Sequence, residues 1–391
     1  MGRLSRGACG GKGSSSGRQA LAFDAGGSVS CACFTAEEDD IMAEPDFNHI
    51  NSVISRAGAE WQAGKTSHSE YYDAVASSMS LFGLAFDPEK AKQQVRAART
   101  SEPVMAMVVA PPPPRIDWRN VKGKSFVTPI RDQQSCGACV SFATCAVLES
   151  RMLIAANTPG RNIDLSEAHL FFCGTPNACQ IGWIYEKAMD QAKRSGVGLE
   201  PDFPYQPQNQ ACRQIKPVVK VKSYETAASS TQRKRALMRG PVVGGLQVYK
   251  DFFTYKSGVY QHVTGSFIGW HAVAIVGYDD VGQYWIAKNS WGPGWGENGF
   301  FRIRYGDSAI DSQVLFYDPD ITILNAVAVG APDGAGGRAS APAAGTSRKA
   351  AAKGGKKAAG KAGSRKAAAK GGKKAGGRKA AAKSRSRGAG K

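Results

Sequence analysis

The chain has 391 residues, 42% of them hydrophobic, enough for one large domain or two ordinary ones with a packed core. Its formal charge of +19 is unevenly spread: residues 331–391 hold 18 Lys/Arg against the single acid Asp333, a net of +17, and residues 1–330 hold 33 basic against 31 acidic residues, a net of +2. A uniformly basic fold is thereby excluded, and no uninterrupted apolar run approaches the ~18 residues of a membrane span, the run ITILNAVAVGA at 321–331 being short and broken by Asn and Gly.

Residues 1–40 are rich in Gly, Ser and Ala without a sustained period and are expected to lack fixed structure. They contain no apolar core of signal-peptide length. Residues 41–112 follow as a helical unit. Phe47, Ile50 and Ile54 recur at helical spacing within FNHINSVISRAGAEW, the stretch PEKAKQQVRAAR repeats the pattern, and Pro111 to Pro114 form an extended linker. Residues 113–325 read as one domain. Its first half is helical, with a helix from about Cys139 to Ala156 ended at NTPG and a second in DLSEAHLFF capped by Asp164. Beyond Pro217 the segments VVKVKSY, PVVGGLQV, HAVAIVGYD, QYWIAKNSW and GFFRIRYG alternate or form short apolar runs, so the second half is expected as strands. Helices followed by strands within about 200 residues predict an α+β fold with a cleft between two sub-structures. From 326 to 391 the chain is dominated by Ala, Gly, Lys and Arg, with RKAAAK at 348, 365 and 378 and KGGKKA at 353 and 370, a low-complexity tail expected to be disordered when free.

Nine cysteines stand at 9, 31, 33, 136, 139, 145, 173, 179 and 212, so at least one thiol has no partner within a single chain. Cys136 and Cys139 form a Cys-x-x-Cys pair in DQQSCGACVSF, which has three readings: half of a zinc site, a redox dithiol, or a structural cysteine beside a reactive one. No second Cys-x-x-Cys recurs to complete a zinc site.

That stretch, with GWHAVAIVGYDD around His271 and IAKNSWGPGWGENGFFRI around Asn289, resembles the papain-like cysteine peptidases. The family's motif is C-G-[SA]-C-[WY], with His and Asn roughly 130 to 150 residues downstream. Here His271 and Asn289 lie 132 and 150 residues after Cys139. The resemblance runs over about 190 residues and implies a two-subdomain fold, a helical half and a β-barrel-like half with the active-site cleft between them. It also implies peptide hydrolysis by Cys139 as nucleophile, with His271 as its proton partner, Asn289 orienting the imidazole, Trp291 shielding that bond, and Gln133 donating to the oxyanion with the Cys139 amide. Cys139 would open a helix, whose dipole favours the thiolate, and His271 would hold the proton as imidazolium. The resemblance further pairs Cys136 with Cys179 and Cys173 with Cys212, leaves Cys145 as a small buried hydrophobe, and assigns Gly182, Gly245 and Trp270 to substrate contact. It implies neither metal nor cofactor. Departures are Val140 where an aromatic is usual, and Gln134 and Ile181 where glycines are usual.

Residues 41–112 occupy the place of an inhibitory prosegment, against the alternative of a permanent helical cap. The tail resembles those of linker histones and bacterial histone-like proteins, which points to nucleic acid as partner, with other polyanions or a solubility role as alternatives. The expected protein is therefore a thiol peptidase acting on proteins or peptides, a monomer with a polycationic tail. Its alternatives are an acyl-transferring enzyme on the same site and a nucleic-acid-binding scaffold without catalysis. The expected disulfides favour an oxidising compartment.

Overall fold

The computed structural model describes residues 22–23, 29–30, 45–72, 82–85, 87–100 and 110–325; the expectations for the tail, and for most of residues 1–40 including Cys9, Cys31 and Cys33, lie outside them. Asp46 accepts from the His49 amide and opens helix α1 (Phe47–Arg56), which buries Ile50 and Ile54. The expected continuation of this helix through Trp61 does not occur. Gly58 adopts φ +64° and ends it, and Glu60–Ala63 becomes strand β1, antiparallel to Tyr255–Tyr260. Gly258 makes that pairing possible, since a Cβ there would stand 2.2 Å from the Glu60 carbonyl oxygen. Helix α2 (Pro88–Thr100) follows, then the short strand β2 (Arg115–Asp117).

Helix α3 (Cys139–Ala156) is buried along Cys139 to Leu153 and ends on Asn157 in the left-handed conformation. By length and composition it could cross a bilayer, a longer apolar stretch than the run-length reading allowed. It is a core helix, whose Glu149 and Arg151 find partners inside the protein in Thr128 and Asp318. In α4 (Glu167–Gly174) the cap is Ser166, whose hydroxyl accepts from the His169 amide; Asp164, expected in that role, pairs instead with Arg131 at 2.9 Å. Helix α5 is Tyr185–Arg194, and β3 is Val219–Ala227. Helix α6 (Ser230–Arg239) opens with a capping box between Ser229 and Gln232.

Strands β4 (Val242–Tyr249), β5 (Tyr255–Tyr260), β6 (Phe267–Asp279), β7 (Tyr284–Lys288), β8 (Phe300–Arg304) and β9 (Phe316–Ile323) complete a nine-stranded sheet in the order β1-β5-β8-β7-β6-β4-β9-β3, with β2 beside β6. Pairing is antiparallel except between β5 and β8. One core gathers around α3 and the other helices, and a second, rich in Trp, Phe and Tyr, fills the strand half. This is an α+β arrangement with a helical half and a strand half, as expected from the sequence. The chain divides into two units, Met1–Gly334 and Ala335–Lys391, the second of which lies outside the described residues.

Candidate active site

Two disulfides shape the helical side of the cleft, Cys136–Cys179 and Cys173–Cys212. With Cys136 bonded to Cys179, the Cys136/Cys139 pair is neither a dithiol nor half of a zinc site in this structure. Cys139 and Cys145 are the free cysteines among the described residues, and both are buried. Cys139 is the first residue of α3, and Ala138 before it supplies no side-chain cap, so the helix's unpaired amides and positive dipole end lie at the thiol. Val140, in place of the usual aromatic, is packed fully into the core.

His271 lies within β6, opposite Leu246 of β4, and Asn289 follows the end of β7. The imidazole Nε2 is 2.7 Å from Asn289 Oδ1, which also accepts from the Ser290 amide at 2.9 Å. An amide oxygen cannot donate, so Nε2 carries the proton; Nδ1, buried without a hydrogen-bond partner, is the unprotonated nitrogen. The centroid of the Trp291 ring stands 5.0 Å from that of the imidazole, the two planes tilted by 34°. The amide of Ala272, next in sequence to His271, donates to Cys139 Sγ at 3.4 Å, so β6 and the start of α3 meet at the sulfur. Gln133 is fully buried in the loop before α3. Its Nε2 donates to the Cys136 carbonyl at 3.1 Å, its Oε1 accepts from the Ser290 hydroxyl at 2.6 Å, and its own carbonyl accepts from Tyr205 at 2.8 Å.

Burial disfavours the charged form of both the thiol and the imidazole. Burial pushes the Cys139 thiol up to about 11, against the stabilising pull of the Ala272, Gly83, Val140 and Cys139 amides. Burial brings His271 down to about 4, although its bond to Asn289 acts the other way. Both shifts act against the ion pair expected from the resemblance while the site is buried.

The cover is the segment 82–85. Gly83 O accepts from the Trp183 amide at 2.6 Å, and the Ala85 amide donates to Trp183 O at 2.9 Å. Gly83 touches bare backbone on both sides: a Cβ on it would fall 1.6 Å from the Gly137 carbonyl oxygen, and one on Gly182 would fall 2.0 Å from the Gly83 carbonyl oxygen. Phe82 presents its edge to His271 at 6.3 Å and to Trp291 at 6.4 Å. Leu84 is buried beside Gly245, where a Cβ would meet Leu84 Cδ2 at 3.2 Å and the Tyr185 hydroxyl at 2.1 Å. Tyr185 donates to Gly244 O at 2.9 Å and is the floor residue that sequence reasoning missed. Trp270 belongs to the same apolar cluster as Leu84, with Phe267 against its ring at 6.2 Å. Ile181 is 69% exposed on the rim beside Gly182.

A second grip comes from residues 64–72. The Gly64 amide donates to Thr254 O at 2.9 Å and Thr66 Oγ1 to Phe253 O at 2.7 Å, while His68 stacks flat on Trp291 at 5.0 Å and 12°. The Trp291 ring is thus in contact with both His68 and His271.

The model of the family described as papain family cysteine protease matches residues 112–317. This chain belongs to the papain family. It is 37% identical over 203 residues to cysteine proteinase 1 of Entamoeba histolytica, covering 49% of this chain and 63% of that one. To the cathepsin L-like proteinase of Fasciola hepatica it is 36% identical, covering 49% and 60%. To zingipain-2 of Zingiber officinale it is 34% identical, covering 49% and 87%. The chain thus spans about three fifths of the length of the first two relatives. Among solved structures it resembles digestive procathepsin L2 proteinase from Tenebrio molitor larval midgut, at 25% identity and a TM-score of 0.56 over 70% of this chain and 88% of that one. A recombinant stem bromelain precursor gives 25% identity and a TM-score of 0.53 over 71% and 88%.

Proposed function

We propose that this papain-family chain is a thiol peptidase held as a precursor, with residues 41–112 acting as its inhibitory segment. The observation that carries the reading is the bond between His271 and Asn289. It leaves Nδ1 as the free base on an imidazole whose neighbouring amide touches the Cys139 sulfur. With the cleft cleared, Nδ1 takes the thiol proton and the sulfur attacks the scissile carbonyl. As the carbon–sulfur bond forms, the oxyanion accepts from the Cys139 amide and Gln133 Nε2. The carbon–nitrogen bond then breaks, the leaving amine takes the proton from His271, and water hydrolyses the thioester with His271 as base. Trp291 keeps water from the His271–Asn289 bond.

The burial of Leu84 beside Gly245, Tyr185 and the cluster that holds Trp270 supports substrates with an aliphatic side chain in that pocket, and the Trp183 backbone that binds Gly83 and Ala85 is available to an extended peptide. Ile181, where a glycine is usual, narrows the far end of that strip. The disulfides favour an oxidising compartment, and residues 331–391, with 18 cations, suit a polyanion, double-stranded nucleic acid in the first place.

The test is hydrolysis of a fluorogenic peptide after the precursor has been processed. Cys139→Ala abolishes it and Cys145→Ala leaves most of it; activity persisting in Cys139→Ala refutes the mechanism. Mass analysis of products formed with an added amine nucleophile separates hydrolysis from acyl transfer.

A further inference from the structure

The covering segment passes the sulfur with one side chain to either side of it. The Gly83 amide donates to Cys139 Sγ, Leu84 fills the pocket beside Gly245 and Tyr185, and Phe82 lies on the His271 side, edge-on to the imidazole at 6.3 Å. In the mechanism proposed above His271 gives its proton to the leaving amine, so Phe82 occupies the place of the first residue after the scissile bond. Three rings wall that place: Phe253, Trp291 and His271 stand 6.0, 6.4 and 6.3 Å from the Phe82 ring, inclined to it by 55°, 77° and 86°. The walls are fixed from behind, because Trp291 stacks on Phe253 at 5.5 Å and meets Phe252 and Trp295 at 5.6 and 5.1 Å.

The second observation is the floor, Gly269 of β6. The three atoms nearest to a Cβ built there all belong to Phe82: Cγ at 2.8 Å, Cβ at 2.9 Å and Cδ2 at 3.2 Å. Gly269 does not have a positive φ, and it pairs in register with Val248 as any strand residue could. The strand geometry therefore does not call for glycine; the ring resting on it does. Gly245 on the neighbouring strand is the contrast. A Cβ there would stand 2.1 Å from the Tyr185 hydroxyl and 2.7 Å from the His271 carbonyl oxygen, so that glycine is required by the fold itself.

We propose that Gly269 sets the specificity of the leaving side: in the processed enzyme the place vacated by Phe82 takes an aromatic side chain, phenylalanine first, on the residue immediately after the scissile bond; this rests on the thiol-peptidase reading. A phenyl ring entering there leaves water for three aromatic walls that it meets edge-on or tilted, the arrangements that aromatic pairs favour. Because packing already holds Phe253 and Trp291, little ordering is needed when the ring arrives. A branched side chain at 269 would put carbon where the ring must lie. The effect belongs to the step in which the carbon–nitrogen bond breaks, since the leaving peptide has departed before water attacks the thioester.

The experiment gives the processed enzyme two internally quenched peptides that differ only in the residue after the scissile bond, Phe in one and Ala in the other, with Leu as the second residue before it. The parent cleaves the Phe peptide with a kcat/KM about 10- to 100-fold higher, the factor that burial of the ring supplies. Gly269→Val brings the two peptides to within about threefold of each other, through loss on the Phe peptide, and continued cleavage of the Ala peptide shows that the variant folds. Gly269→Ala gives an intermediate ratio, and it carries the comparison where Val abolishes both activities. Equal rates for the two peptides in the parent, or a Phe preference that both variants keep, overturns the aromatic subsite. Faster epoxide labelling of Cys139 in the Gly269→Val precursor, without a Phe preference in the processed parent, overturns it too, because the glycine then serves the cover alone. No cleavage of either peptide by a processed parent whose Cys139 labels freely overturns the peptidase reading itself, and this inference with it.

Discussion

Gly83→Ala tests the cover at its tightest point. The added Cβ would fall 1.6 Å from the Gly137 carbonyl oxygen, so residue 83 must retreat by more than an ångström before ordinary contact is restored. The retreat stretches both backbone hydrogen bonds to Trp183, at 2.6 and 2.9 Å, which are each worth about 0.5–1.5 kcal/mol net. It also draws Leu84 from its pocket, at about 1.5–3 kcal/mol for a buried leucine. The docked state should lose roughly 3–6 kcal/mol, some two to four decades in the covered-to-open equilibrium. The assay is the rate at which a thiol-directed epoxide labels Cys139 in the intact full-length chain at neutral pH, before any cleavage. Cys139→Ala fixes the background. Labelling that is no faster in Gly83→Ala than in the parent would refute the reasoning, because the segment would then not be what excludes the reagent.

Docking should also weaken with acid. His68 is held down to about 4 by burial first and by His271 second; Ser67 and Tyr71 also face it, and Glu70 and Asp132 act on Tyr71. A base whose docked value is lowered favours the docked state above its free value of about 6.5, so His68 alone costs docking about tenfold per pH unit from 6.5 down to 4, His271 under the cover adds to this in the same direction, and His68→Phe should keep the stack but make the pH profile of Cys139 labelling less steep. An identical profile in that variant would remove His68 from the account. Asn289→Ala should lower kcat far more than it raises KM, since it frees the His271 ring without touching substrate; a change confined to KM contradicts the assignment. Gln134 sits at φ +49°, so Gln134→Gly should raise stability by up to about 1 kcal/mol in urea melts, and a drop in stability would show that its side chain contributes more than the strained backbone costs.

Much of the candidate site was legible because its chemistry is tied to residue type. A cysteine after a buried glutamine, a histidine in a Gly/Ala/Val strand and an asparagine before a tryptophan left few alternatives once their spacing was matched. The cover was not legible. Gly83 and Leu84 act through backbone contact and the filling of a pocket, and a short apolar run such as LFGLAF looks the same whether it fills a cleft or a core. Strand β1 was hidden behind Gly58, which ends a periodicity that Ala59 and Trp61 would otherwise extend. Helix α6 did carry a signal, Ser229 and Gln232 in capping-box spacing, overlooked in a region dominated by alternation. Asp164 lost the cap of α4 to Ser166, since Arg131 is a stronger partner for a carboxylate than a backbone amide.

The segment 82–85 blocks the cleft in space, and it also changes what the thiol can do. In water a cysteine near 8.5 and a histidine near 6.5 differ by about two units, a gap that a helix terminus can narrow or reverse. Under the cover the same groups stand at about 11 and about 4, because burial disfavours both the thiolate and the imidazolium. The Gly83 amide donates to the sulfur and lowers its pKa, yet the water it displaces matters more. Removal of the segment therefore does two things at once: it opens the strip along Trp183 to a peptide, and it returns solvent to a pair that can then exchange a proton. The two effects separate by reagent size. Iodoacetamide needs little of the cleft, so slow alkylation of the covered protein by it, rising steeply on uncovering with the pH dependence of a lowered thiol, isolates the chemical part; alkylation already fast in the covered chain would leave steric exclusion as the whole effect of the segment.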